Sequence, residues 1–107
     1  MFLQDIDIKI LKALYFEIGT RYRLSKIFGI SEQIIAYRVK VLMKHNLLKS
    51  ISSGKKTIYS TNEEKVRIKD DNLGNSIILI KNNKYSYLII ENKSKFYHRI
   101  VKQFNLR

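Results

Sequence analysis

The chain has 107 residues, of which 21 are Lys or Arg and 9 are Asp or Glu, for a net charge of +12. That length suits one compact domain, or a small module with an appendage that completes its core. So large a positive excess repels itself in a folded chain unless something anionic relieves it, which points first to nucleic acid and second to an anionic membrane face.

No cysteine is present, which excludes disulfides, thiolate metal sites and cysteine nucleophiles. No apolar run approaches the ~18 residues of a membrane span. The opening MFLQDIDIKI has neither the basic start nor the apolar core of a signal peptide. A reducing, cytoplasmic location is the expectation. Abundant Ile, Lys, Asn and Tyr without Pro suggests an AT-rich genome, and with it a microbial, plasmid or viral source.

Residues 5–16 read as a helix. Asp5 or Asp7 can cap it, Ile6, Ile10, Leu11 and Leu14 form its apolar stripe, and Gly19 is expected to end it in a left-handed conformation. Thr20 can cap a second helix over 21–28, with Leu24, Ile27 and Phe28 inward and Ser25 small enough for a close crossing. Gly29-Ile30 forms a turn. Ser31 caps a third helix over 32–45, whose core stripe is Ile35, Val39 and Leu42. Ile34 and Val41 lie off that stripe, either covered by the C-terminal hairpin or available to a second copy. Asn46 suits the left-handed position after a helix. Residues 47–52 and 56–61 then form a hairpin with 53–55 at its tip.

In the tail, Val66 and Ile68 alternate with Arg67 and Lys69, and residues 70–76 form a polar loop. Residues 77–80 and 85–90 flank Asn82-Asn83, a two-residue turn signal. Both faces of that hairpin are apolar, so both are expected to be covered. A terminal helix over 94–104 would align Tyr97, Ile100, Val101 and Phe104 on one stripe, the expected dimer surface. The expected organisation is a module over 1–62 and a packing or dimerisation extension over 63–107.

The charge is concentrated in the middle. Residues 21–61 carry Arg21, Arg23, Lys26, Arg38, Lys40, Lys44, Lys49, Lys55 and Lys56 against Glu32 alone. That is the electrostatic footprint of a localised anion-binding face.

The segments IDIKILKAL (6–14), RLSKIFGIS (23–31), IIAYRVKVL (34–42) and HNLLKSI (45–51) resemble the winged helix-turn-helix superfamily, and within it the N-terminal domains of leucine-responsive-type regulators. Asn46 stands where that pattern has glycine, and the effector domain of those regulators has no counterpart, so amino-acid sensing does not carry over. The resemblance implies an α+β fold, a winged helix-turn-helix with a C-terminal β-hairpin and terminal helix. It also implies a transcriptional regulator that binds double-stranded DNA.

The chemistry of the residues agrees. A third helix buried on 35/39/42 shows Gln33, Ala36, Tyr37, Lys40 and Lys44 outward. Gln33 can bond an adenine edge, Ala36 can touch a thymine methyl, and Lys40 can reach guanine or phosphate. Tyr37 suits a sugar or phosphate contact, and Arg38, on the helix flank, a phosphate anchor. Ser31 and the helix N-termini, with Arg21, Arg23 and Lys26, favour phosphate. Lys55 and Lys56 at the tip can follow the backbone or enter the minor groove. Taken singly, each of these is also what a solvated helix face or hairpin tip looks like.

Other chemistries have less behind them. His45 reads as a helix-end cap and His98 as surface, so no metal is expected. Glu91 and Lys93 after an apolar strand, with Asp70 or Asp71 upstream, resemble half of a metal-dependent nuclease site, but too few residues follow residue 62 for a nuclease core. No Ser/His/Asp set or phosphate-binding glycine loop occurs, so an enzyme, a cofactor and a small-molecule ligand are not expected. The alternative is a protein-interaction module of the same fold in a transcription or replication complex. The charge over 21–61 disfavours it, since interface cores are usually poor in charge.

Overall fold

The computed structural model describes residues 3–81 and 85–102. The fold is α+β, with the element order α1 (Asp5–Phe16), α2 (Arg21–Phe28), α3 (Glu32–Lys44), β1 (Leu48–Ser53), β2 (Lys56–Thr61), β3 (Val66–Asp70), β4 (Asn75–Lys81), β5 (Tyr85–Asn92) and β6 (Lys95–Lys102). The chain divides into two compact units, 1–62 and 63–107.

In the first unit, α1 buries Asp7, Ile8, Ile10, Leu11 and Leu14. Positions 7, 10, 11 and 14 follow the 3.6-residue period, so an acid occupies a core position. The N-cap is Gln4 rather than either aspartate, and its backbone N–H donates to Asp7 Oδ2 at 2.7 Å. The helix ends at Glu17 in extended conformation, so Gly19 is not a left-handed stop. Gly19 instead pairs with Tyr59: its N–H donates to the Tyr59 carbonyl at 3.1 Å and its carbonyl accepts from Tyr59 N at 2.7 Å. The α1–α2 connection thereby joins the β1–β2 hairpin as a one-residue bridge.

Helix α2 starts at Thr20, whose Oγ1 accepts from Arg23 N, and stops at Gly29, which takes φ 62°, a conformation disfavoured for L-residues with a Cβ. Ser25 Oγ donates to the Ile30 carbonyl at 2.6 Å and fixes the turn. Leu24 is buried, but Ile27, expected inward, is exposed. Helix α3 is capped by Ser31 Oγ, which accepts from Ile34 N, and buries Ile35, Arg38, Val39 and Leu42. His45 stands at its C-cap and Asn46 takes φ 60°. Leu47 and Leu48 then return to the core, and Thr61 Oγ1 donates to the Leu11 carbonyl at 2.8 Å, tying β2 to α1.

The second unit is a four-stranded antiparallel sheet of order β3-β4-β5-β6. Its register sets Ile68 beside Ile78 and Ile78 beside Ile89 on one face, and Ile77 beside Ile90 and Ile90 beside Tyr97 on the other. The first face is buried at Val66, Ile68, Ile78, Ile80 and Ile89, whereas Ile77, Ile90 and Tyr97 are exposed. The expectation that both faces are covered is therefore corrected.

The terminal helix is also corrected, because the segment is strand β6. Lys93 and Ser94 take φ 50° and 68° between the paired Asn92 and Lys95. Positive φ at both central residues matches the hairpin turn that suits right-handed strand twist. On a strand, Tyr97 and Val101 belong to one face and Ile100 to the other, so the expected single dimer stripe does not form. Phe104 and the Asn82-Asn83 turn lie outside the described residues. Among those residues, no helix is long and apolar enough to cross a membrane.

Candidate nucleic-acid interface

Packing of α3 on 35/38/39/42 leaves Gln33, Tyr37, Lys40 and Lys44 along one exposed ridge. Tyr37 is 63% exposed. Ala36, half-buried, lies to the hairpin side of this ridge. There a groove of about 410 Å³ opens, lined by Arg21 from α2, by Ala36, Tyr37, Val39, Lys40 and Met43 from α3, and by Ser50 and Tyr59 from the hairpin. Four of the residues expected at a DNA contact, Arg21, Ala36, Tyr37 and Lys40, thus share one concavity.

Ser50 and Tyr59 were not among the expected site residues. They are register partners on β1 and β2, on the same face as the buried pair Leu48 and Thr61. Counting two residues along either strand from that core pair would have found them.

The remaining basic residues differ in availability. Lys44 is exposed in the last turn of α3, and Lys55 is exposed in the two-residue connection between Ser53 and Lys56. Lys56 pairs with Ser53 on the opposite hairpin face from Ser50 and Tyr59, together with Lys49 and Ile51. Lys26 is exposed on α2, with its Nζ 5.2 Å from the Tyr22 ring centroid. Arg23 is half-buried and pairs with Glu17, Nη2 to Oε2 at 2.8 Å, while its Nη1 donates to the Ile18 carbonyl. A pair this exposed contributes about 0–1 kcal/mol, so a phosphate can displace Glu17.

Arg38 is the correction within the set. Its Nε donates to Asp7 Oδ1 at 2.7 Å and its Nη2 to Asp7 Oδ2 at 2.6 Å. Arg38 is 8% exposed and Asp7 fully buried. The hydrogen bonds that the guanidinium donates to Asp7 hold it above its ordinary pKa. Withdrawing one member of such a pair costs about 3–5 kcal/mol, more than a phosphate contact returns. Arg38 therefore joins α3 to α1 and is not an exposed phosphate anchor. Its guanidinium also lies 5.6 Å from the Tyr37 ring centroid, at the base of the exposed ridge. Ser31 serves as the α3 cap.

A second cleft, of about 520 Å³, lies in the sheet unit and is lined in part by Asp70, Asp71 and Glu91. Lys93 sits in the left-handed β5–β6 turn rather than on the strand with Glu91, so the strand-Glu-x-Lys arrangement of a nuclease is not formed. Among the described residues no group of three or more His, Cys, Asp or Glu side chains is arranged to hold a metal ion. His98 is exposed, with Nδ1 3.0 Å from Tyr87 Oη.

No protein-family model matches the chain, and neither a curated protein nor a solved structure matches it.

Proposed function

We propose that the first unit is a winged helix-turn-helix module that binds double-stranded DNA, with α3 in the major groove and the β1–β2 hairpin as the wing on the adjacent backbone, and that it regulates transcription. The observation that carries this reading is the groove itself. Lys40 and Tyr37 on the α3 ridge, Arg21 at the start of α2 and the uncharged hairpin face of Ser50 and Tyr59 line a single concavity. Thirteen residues make α3 about 20 Å long, and the ~12 Å major groove admits one such helix. Gln33 is suited to an adenine edge, Ala36 to a thymine methyl and Lys40 to guanine or phosphate. Arg21, Lys44 and Lys55 are suited to the backbone, with Tyr37 and Tyr59 against sugar or phosphate.

The test is selection from a random-sequence duplex pool at two salt concentrations, with sequencing of the retained DNA. A sequence-specific regulator enriches a motif, and a two-fold dimer enriches a palindrome with half-sites one turn apart. Lys40→Ala weakens retention. No retention of wild-type chain at either salt overturns the reading.

A further inference from the structure

The outer face of the sheet unit has an ordered composition. Its cross-strand rows run Lys69, Ile77, Ile90, Tyr97 and then Arg67, Leu79, Leu88, Arg99. The two inner strands supply only aliphatic side chains to these rows, and the outer strands supply the cations. Ile77, Ile90 and Tyr97 are 52%, 43% and 56% exposed. Lys81 and Lys95 extend the basic rim. Among the described strand positions of this face none is Asp or Glu, and Asp70 and Glu91 belong to the other. Asp71, just past β3 and bonded to Asn75, is the carboxylate at the end of the face, beside Lys69, Ile77 and Ile90.

An exposed apolar patch framed by charge marks an interaction surface. We propose that this face docks an amphipathic helix of a partner protein, with an apolar stripe flanked by carboxylates. Dimensions and charge select that occupant. Strands spaced ~4.8 Å apart set β3 and β6 about 14 Å from each other, and a helix with its side chains is about 10–12 Å across. A helix lying along β4 and β5 covers the aliphatic rows and brings its flanking acids to Lys69 and Arg67 on one side and Arg99 on the other. A second copy of the chain fits less well, because stacking two such faces brings the cations of both rims together, and these outnumber the carboxylates at the β3–β4 end.

The probe is a synthetic, fluorescein-labelled helical peptide with Leu at i, i+3, i+4 and i+7 and Glu on both flanks, titrated with the full chain by anisotropy. Binding with Kd on the order of micromolar is expected. Ile90→Asp and, with the apolar rows intact, Arg99→Glu each weaken it by about tenfold or more, while Lys40→Ala leaves it unchanged. Far-UV circular dichroism of each variant excludes unfolding, and Arg99→Glu carries the test if Ile90→Asp melts early. Four results overturn the proposal. A scrambled peptide of the same composition binds equally. A Lys-flanked version binds equally. Ile90→Asp and Arg99→Glu both leave binding unchanged in folded protein. Or Ile90→Asp dissociates a dimer that wild-type chain forms through this face. Loss of duplex binding in Arg99→Glu equal to that in Lys40→Ala would instead assign the face to DNA.

Discussion

Asp7 and Arg38, thirty-one positions apart, meet in a bidentate pair between α1 and α3. Substitution distinguishes its structural role from a binding role. Arg38→Met leaves the Asp7 carboxylate buried and unpaired, and urea unfolding should show a loss of about 3–5 kcal/mol. Arg38→Met combined with Asp7→Leu replaces the pair with apolar volume and should recover most of that loss. Unchanged stability with lost DNA affinity in Arg38→Met would return Arg38 to the phosphate contacts. Local sequence could not separate the two roles, since a flanking arginine on α3 looks the same in either. The legible signal was on the other helix: Asp7 shares the 7/10/11/14 stripe with Ile10, Leu11 and Leu14. An acid at a core position demands a cation, and α3 offers one on its buried side.

At the scale of elements, α2, α3 and the first hairpin were legible because period, caps and turn residues agree in each, whereas α1 was legible from its period alone, its expected caps at Asp5 or Asp7 and Gly19 not being the ones used. Helix α1 has the expected bounds, and Asn46 takes the left-handed geometry. The last element was misread because KFYHRIVK satisfies two periods. Tyr97, Ile100 and Val101 suit a helix stripe, yet Tyr97, Arg99 and Val101 alternate equally well with Phe96, His98 and Ile100. Length and turn chemistry normally decide, but the turn before β6 is Lys93-Ser94, with no glycine to announce it. A left-handed L-residue costs roughly 1–2 kcal/mol, so replacing Lys93-Ser94 by Asn-Gly should raise stability by about that much. A lower melting temperature would contradict the turn.

The β3–β4 connection gives a pH prediction at the same scale. Asp71 Oδ1 accepts from Leu73 N at 2.7 Å and Asn75 N at 3.1 Å, and Oδ2 accepts from Asn75 Nδ2 at 2.8 Å. The Asn75 side-chain bond, then the Leu73 backbone bond, lowers the Asp71 pKa below the ordinary carboxylate value. A depressed carboxylate supports the folded loop above its unfolded pKa, and that support disappears as pH falls through the lowered folded value. The amide shifts of Leu73 and Asn75 should therefore titrate together, with a midpoint below that of an ordinary aspartate. An ordinary midpoint would mean that the carboxylate does not organise the loop.

Over the whole molecule, the +12 charge is organised rather than diffuse. One set of cations lines the α3–hairpin groove and another frames the apolar sheet face. The middle-third concentration of charge was legible in the sequence. The sheet face was not, because it requires the register of four strands. If the groove neutralises phosphates, log affinity for duplex DNA falls linearly with log salt, by roughly 0.9 per phosphate contact, and Lys40→Ala shallows the slope by about 1. A flat salt response would remove the electrostatic basis of the reading.

The most direct measurement is an amide chemical-shift titration of the isotope-labelled full chain with duplex DNA. The account predicts shifts concentrated at Arg21, along Gln33, Tyr37, Lys40 and Lys44, and at Gly54-Lys55, with Ile77, Ile90 and Tyr97 unmoved. An unchanged spectrum, or shifts confined to the sheet unit, would contradict it.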